Sequence, residues 1–140
     1  MASTLKQIRS GLKDRLELSS GPNLKDVHVQ PVDSAALTGY PTAVITLESL
    51  DPRVAMGGTP LQADFRVIVL VADMESPVGF ENLDEYVDPQ GTRSIDAAIT
   101  ASPNLGLSDV TAELVRVENV GLRPSGQYGA DFIIRAWRVG

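Results

Sequence analysis

The feature that most constrains the fold is the run from Asp64 to Asp73, Asp-Phe-Arg-Val-Ile-Val-Leu-Val-Ala-Asp, which is the longest β-branched and aromatic run in the chain. Around its first half, apolar and polar residues alternate: Leu61, Ala63, Phe65 and Val67 against Gln62, Asp64 and Arg66. From Val67 to Ala72 every residue is apolar, so both faces need cover, one by the core and the other by a helix or another subunit. The run therefore predicts the central strand of a sheet.

Shorter alternating runs predict the other strands. Val27-His28-Val29 is one, closed by Pro31. A second follows Pro41 and is expected to place Ala43, Ile45 and Leu47 on one face, with Thr42 and Thr46 on the other. Proline and glycine residues between Ser49 and Pro60 predict a long hairpin loop. Two more strands are expected near the end of the chain, Val110–Val120 with Val115 and Val117 on one face, and a last strand whose inward residues are Tyr128, Ala130, Phe132, Ile134 and Ala136.

The first element is predicted to be an amphipathic helix. Thr4 and Gln7 have the spacing of a capping box, and apolar residues recur at helical spacing at Leu5, Ile8, Leu12 and Leu16. Gly11 lies in the middle, where it costs about 1 kcal/mol relative to alanine. Ser19-Ser20-Gly21-Pro22 is expected to end the helix, with Gly21 in the left-handed conformation.

A pair of helices is predicted between the central strand and the last two strands. Ser76-Pro77 offers an N-cap and a first helical residue, and Asp88-Pro89-Gln90-Gly91 interrupts the helix. Thr92 is expected to cap the second helix, which ends before Pro103. The apolar positions of the pair are Phe80, Leu83, Tyr86, Val87, Ile95, Ala98 and Ile99. The chain is thus expected to be α+β, with a mostly antiparallel sheet of four to five strands, an N-terminal helix and a helical pair packed on one face of the sheet.

Composition excludes several classes of protein. At 140 residues, 43% of them hydrophobic and 21% charged, the chain is expected to be one globular domain, 1–140. It has no cysteine, which excludes disulfides and thiolate chemistry, and its net charge of −6 disfavours a nucleic-acid-binding surface. No apolar run approaches the roughly 18 residues of a membrane span, and no signal peptide is visible, so a cytoplasm-like compartment is expected.

No residue pattern predicts catalysis. His28, the only histidine, is expected to be a surface residue, and Asp84, Glu85 and Asp88 to form a solvated helix face. Gly57-Gly58 lacks the context of a phosphate loop and belongs to the hairpin. We therefore expect no catalytic residue, no cofactor and no metal, and a protein that is not an enzyme.

The outward face of the last strand is the strongest signal for association. Asp131, Ile133, Arg135 and Trp137 combine charge with a large aliphatic side chain and the only tryptophan. Such a face suits a contact between subunits. The alternative is that the helical pair covers this apolar surface within one chain.

Several stretches, which cover most of the chain, resemble the tail terminator proteins of long-tailed (siphovirus-like) bacteriophages, within the head-to-tail neck proteins. They are the helix Leu5–Leu16, the strand Asp64–Asp73, the segment Asn82–Ile99, the strand Val110–Gly121 and the closing Tyr128–Trp137. The resemblance implies a subunit of a homo-hexameric ring that caps the tail tube and stops its polymerisation at the tail-neck junction of the virion, after assembly in the host cytoplasm.

The resemblance also implies partners. The major tail tube protein would bind one face of the ring and a head-completion or stopper protein the other, while genomic DNA passes through the lumen without specific binding. It implies no membrane contact and supplies no catalytic position. Contact candidates are the Ser49–Pro60 hairpin for an axial partner, and Ile133, Arg135 and Trp137 for a neighbouring subunit. The alternatives are another neck component, a small cytoplasmic ligand-binding α+β domain, and a monomeric regulatory module.

Overall fold

A computed structural model describes residues 3–18, 21–29, 40–52, 61–73, 75, 77, 79–124 and 126–138. These residues form three helices and five strands: α1 (Leu5–Glu17), β1 (Asp26–His28), β2 (Thr42–Pro52), β3 (Leu61–Asp73), α2 (Gly79–Val87), α3 (Ile95–Ala101), β4 (Val110–Leu122) and β5 (Gln127–Arg138). Within the described residues, none of the helices has the length and apolar character needed to cross a bilayer.

The strands form one sheet in the order β1-β2-β3-β5-β4. Strand β1 is parallel to β2, and the other neighbours are antiparallel. The α+β prediction is confirmed, and so is the central place of the Asp64–Asp73 run, since β3 has two strands on each side. The inward residues of β5 are also as predicted, with Phe132 and Ile134 fully buried.

All three helices contribute to a single core against one face of the sheet. Ile8 and Leu12 of α1, Leu83 of α2 and Ile99 of α3 pack there with Phe65 of the central strand. The opposite face of the sheet is therefore left to its own side chains, and these define the candidate surface described below.

The second half of β3 is buried on both faces, as its composition predicts. Val69 lies in the helix-facing core, and Leu70 on the opposite face is also fully buried. Leu70 stands directly opposite Gly129 of β5, and its Cδ2 is 2.8 Å from where a Cβ of Gly129 would be. Leu70 therefore covers the second face within one chain, in the space that is free because Gly129 has no side chain. The helical pair is not needed on that face.

Helix α1 begins as predicted but ends differently. Thr4 Oγ1 accepts from the Gln7 N–H at 3.2 Å, and the Gln7 side chain accepts from the Thr4 N–H at 2.8 Å, which completes the capping box. The expectation of a left-handed Gly21 cap is wrong: the C-cap is Leu18, with φ −58° and ψ 127°. The N–H groups of Gly21 and Leu24 donate hydrogen bonds to carbonyl groups at the C-terminal end of the helix. The residue in the left-handed conformation is Asn23, with φ 52°. Ser19 and Ser20 lie outside the described residues.

The helical pair is confirmed, with different starting residues. Pro77 lies in a turn before α2, which begins at Gly79, and Ser76 is outside the described residues. The cap of α3 is Ser94 rather than Thr92, because the Ser94 Oγ accepts from the Ala97 N–H at 3.0 Å. Consecutive turns through Gly91 and Ser94 move the helix start two residues along the chain.

Bulges in β2, β3 and β4 change which residues face the core. Strand β2 continues to Pro52, so the predicted loop is wrong for Ser49–Pro52; residues 53–60, including the Gly57-Gly58 pair, lie outside the described part. Its register shifts between Leu47 and Ser49. In β4 the shift lies between Leu114 and Arg116, so Val117 packs on the core while Val115, predicted to share its face, is the extra residue of the bulge.

The end of β1 differs slightly from the prediction of a strand that includes Val29 and is closed by Pro31. Val29 follows the strand, and Pro31 is outside the described residues.

Candidate assembly surface

The outward face of the sheet carries polar pairs between residues that stand directly opposite each other on β3 and β5. Arg135 donates to Asp64 through Nε at 2.8 Å and through a terminal nitrogen at 3.2 Å, so the pair is bidentate. One pair further along, the Trp137 Nε1–H donates to Gln62 Oε1 at 3.1 Å. Opposite pairs of this kind stabilise the register of neighbouring strands.

Arg66 is the centre of a larger ionic cluster on the same face. It donates to both oxygens of Glu48 on β2, at 3.0 and 2.9 Å, and to Asp131 Oδ2 on β5 at 2.7 Å. A terminal nitrogen also lies 3.4 Å from Glu118 Oε1 on β4. One guanidinium therefore connects four strands.

Asp131 is the buried acceptor of this cluster, with only 2% of its surface exposed. Besides Arg66, it accepts from Arg123 at 2.7 Å and from the Asn119 side-chain amide at 2.8 Å. Three donors around one carboxylate offset the desolvation that burial imposes on a charge. The cluster also ties the β4–β5 turn, which carries Arg123, to the centre of the sheet.

The burial of Ile133 corrects one of the predicted subunit contacts. Ile133 is fully buried in the single chain, directly opposite Arg66 on β3 and Arg116 on β4. Arginine stems cover apolar neighbours while their charged ends pair elsewhere, so Ile133 offers no surface to a neighbour. Arg135 and Trp137 are half-buried and already hydrogen-bonded within the chain.

The same hydrogen bonds shift the ionisation of the carboxylates. The bond from Arg135 holds the pKa of Asp64 below its usual value, and the bond from Arg66 does the same to the pKa of Glu48. Both carboxylates are therefore charged at neutral pH, and the face is a network of paired charges rather than an apolar patch.

Exposed apolar side chains lie instead in two places, on the part of β2 beyond its pairing with β1 at Thr42–Val44, here called the β2 edge, and on the edge strand β4, here called the β4 edge. On β2, Leu47 is 37% and Leu50 43% exposed; on β4, Val120 is 51% and Leu122 50% exposed. The β2 bulge places Leu47 opposite Phe65 and Leu50 opposite Ala63, on the core side of the sheet but outside the buried core. Leu47 shares a face with Ala43 and Ile45, as predicted, and Leu50 lies in the Ser49–Pro60 segment predicted to contact an axial partner. The β4 edge was not predicted as a contact, because alternation read along one strand does not show a bulge.

The sequence-predicted polar residues lie apart from this surface. Asp84, Glu85 and Asp88 are exposed along and after α2, as expected for a solvated face. His28 is half-buried at the β1 edge of the sheet, with Nε2 3.2 Å from Asp26 Oδ2, rather than a plain surface residue. In the described part of the chain, no three His, Cys, Asp or Glu residues are grouped as metal ligands would be.

The fold has a counterpart among solved structures. A chain of the virion of a native gene transfer agent (GTA) particle superposes with a TM-score of 0.56 over 95% of this chain and 95% of that chain, at 13% sequence identity. No protein-family model matches the sequence, and no curated protein matches it. The chain therefore shares its fold over 95% of its length with a protein of the gene transfer agent virion, at an identity that establishes the fold alone.

Proposed function

We propose that this chain is a structural protein of a phage-like virion. The observation that carries the proposal is the agreement of the complete fold, over 95% of both chains, with a chain of the gene transfer agent virion. The stretches of sequence that resemble tail terminators point in the same direction. They lie on α1, β3, the helical pair, β4 and β5, which are the three described helices and three of the five described strands.

More specifically, the chain acts as a tail terminator. Subunits close into a hexameric ring at the tail-neck junction, bind the end of the tail tube and stop its polymerisation. The other side of the ring receives a head-completion or stopper protein, and genomic DNA passes through the lumen. This role is mechanical and needs no catalytic group.

The two exposed edges support this proposal. The β2 edge presents Leu47 and Leu50, and the β4 edge presents Val120 and Leu122, so two different apolar patches lie on opposite sides of the central strand. We assign the β4 edge to a neighbouring subunit, where a contact between unlike surfaces of identical subunits closes into a ring or continues as a filament. The β2 edge, which runs into the segment predicted to touch an axial partner, is assigned to the tail tube. The Arg66 cluster joins four strands on the face between the two edges and makes that face charged.

The first test is the absolute mass in solution, by light scattering after size exclusion at several concentrations. Because the subunit mass is 14.9 kDa, a ring separates clearly from a monomer. The second test adds the protein to polymerising tail tube protein and measures tube length by negative-stain electron microscopy. We expect shorter tubes with an added density at one end. Unchanged tube lengths together with binding to a stopper protein would assign the chain to another neck component.

A matched pair of variants separates the two contacts. Leu50 belongs to the segment predicted to touch an axial partner, and Leu122 lies at the other edge with similar exposure. We expect Leu50→Ser to preserve the ring mass but to lose the effect on tube length, and Leu122→Ser to lower the ring mass. If tubes grow to the same length with and without the wild-type protein, the terminator role is refuted.

A further inference from the structure

A polar cavity of about 330 Å³ lies away from the sheet face described above. Its walls come from the turn after α1, the start of β2, the end of β3, helix α2 and the segment before α3. Pro41 and Val71 give it an apolar side, whereas the remaining lining is dominated by polar side chains. This volume is in the range of pockets that bind small molecules or single side chains.

Two of the lining residues are cations without an acidic partner. Neither Lys25 nor Arg93 forms an ion pair within the part of the chain that the structure describes, whereas Arg66, Arg123 and Arg135 each do so on the sheet face. Lys25 is exposed, whereas Arg93 is half-buried at the cavity, where an unpaired charge favours an anionic ligand.

Neutral hydrogen-bonding groups accompany these cations. Tyr86 is 5% exposed and lines the cavity, and its hydroxyl has no hydrogen-bond partner among the described residues. The side-chain amides of Asn23 and Asn82 line the same space and are likewise unpaired there. Burial raises the pKa of the Tyr86 phenol, and the charge of Arg93 acts in the opposite direction; a raised pKa keeps the hydroxyl protonated, as a donor, at neutral pH.

The charges of the lining restrict the ligand. Lys25 and Arg93 supply two positive charges and Glu85 one negative charge, which favours a group with a single negative charge. A carboxylate has that charge and only accepts hydrogen bonds, and a guanidinium matches its geometry. A phosphate monoester carries about −1.5 to −2 charges, more than the single net positive charge of the lining neutralises.

We propose that this cavity binds a carboxylate group, carried by an acidic side chain of a partner protein or by a small carboxylic acid. Arg93 and Lys25 neutralise the charge, and the Tyr86 hydroxyl and the two amides donate hydrogen bonds. The inference does not depend on the proposed function, because the site is complete in one chain and is tested on the isolated protein.

The test follows backbone amide NMR shifts of the full chain during titration with four probes. These are acetyl-Gly-Glu-Gly-amide, its glutamine counterpart, sodium acetate and inorganic phosphate, all at constant ionic strength. We expect saturable shifts around Asn82–Arg93 with the glutamate peptide and with acetate, at a Kd on the order of 1 mM for so small a probe. Tighter binding of the peptide would point to a protein partner, and tighter binding of acetate to a small acid.

Variants separate specific binding from general attraction of anions. Arg93→Gln is expected to abolish saturation and Arg93→Lys to restore part of it, while Lys6→Gln, an exposed cation on α1 outside the cavity, leaves binding unchanged. Tyr86→Phe is expected to weaken the glutamate peptide about ten-fold, as for loss of a hydrogen bond to a charged group, at an unchanged melting temperature. The proposal is overturned if the glutamine peptide binds equally well, if phosphate binds more tightly than both carboxylates, or if no probe saturates.

Discussion

Replacing Gly11 by alanine sets two physical effects against each other in helix α1. Alanine is favoured over glycine inside a helix by about 1 kcal/mol, mainly because glycine loses more backbone freedom on folding. In this protein, however, a Cβ on residue 11 would lie 2.5 Å from the carbonyl oxygen of Leu105 and 3.0 Å from its Cβ. The neighbour is backbone, so it cannot move aside as the end of a flexible side chain would.

The magnitudes decide the sign. Overpacking a buried site costs roughly 1–3 kcal/mol, and contact with a backbone oxygen places Gly11→Ala toward the upper end of that range. After subtracting the gain in helix propensity, we expect a net loss of about 1–2 kcal/mol in the free energy of unfolding. For a domain of this size, this corresponds to a fall in melting temperature of roughly 3–8 °C.

The assay is thermal and urea unfolding followed by circular dichroism at one fixed protein concentration, since association makes the melting temperature concentration-dependent. Ser10→Ala is the matched control, because Ser10 is the exposed neighbour on the same helix and gains propensity without a clash. If Gly11→Ala melts at or above the wild-type temperature, the close packing of α1 on the segment after α3 is refuted.

Two further predictions concern the sheet face. Ile133→Ala should lower the free energy of unfolding by about 2–4 kcal/mol because the side chain is fully buried. The oligomeric mass of the variant should be unchanged. A variant that is as stable as the wild type but has a different oligomeric mass would show that Ile133 is a subunit contact after all. Because the pKa values of Asp64 and Glu48 are lower in the folded than in the unfolded chain, the unfolded state binds more protons at acid pH. Their contribution is complete above about pH 4–4.5, where the unfolded groups are ionised, and is lost as the pH falls through the folded-state values. Urea midpoints measured from pH 7 to pH 3 should therefore fall most steeply below pH 4.5, and Asp64→Asn should flatten that fall; an identical fall in the variant would contradict the assignment.

The parts of the fold predicted from the sequence are those specified by local patterns. The capping box of α1 involves Thr4 and Gln7, three residues apart, and the central position of β3 follows from a run that needs cover on both faces. Helix starts were less accurate. Ser94 and Thr92 are both good cap residues, and the turns between the two helices, rather than either side chain, determine which of them is used.

The candidate surface was predicted only in part, because the side chains that cover Ile133 come from other strands. The alternation of β5 shows that Ile133 points away from the core, but not that Arg66 and Arg116 stand beside it on either side. A signal was present in retrospect: the outward positions of β3 and β5 carry opposite charges at Asp64 and Arg135. Such a pattern becomes informative once the two strands are known to be neighbours.

The irregular edge of β4 has a consequence for how the protein behaves before it assembles. Strand β4 has β5 on one side and no second strand among the described residues on the other, and bulges interrupt it after Leu114 and after Glu118. In its longest regular stretch, the Ala112 N–H is already donated to the Pro103 carbonyl at 2.7 Å. Few consecutive backbone groups are left for an incoming strand, and this limits fibril-like growth by strand addition. At this edge, self-association therefore depends on side-chain contacts rather than on open backbone.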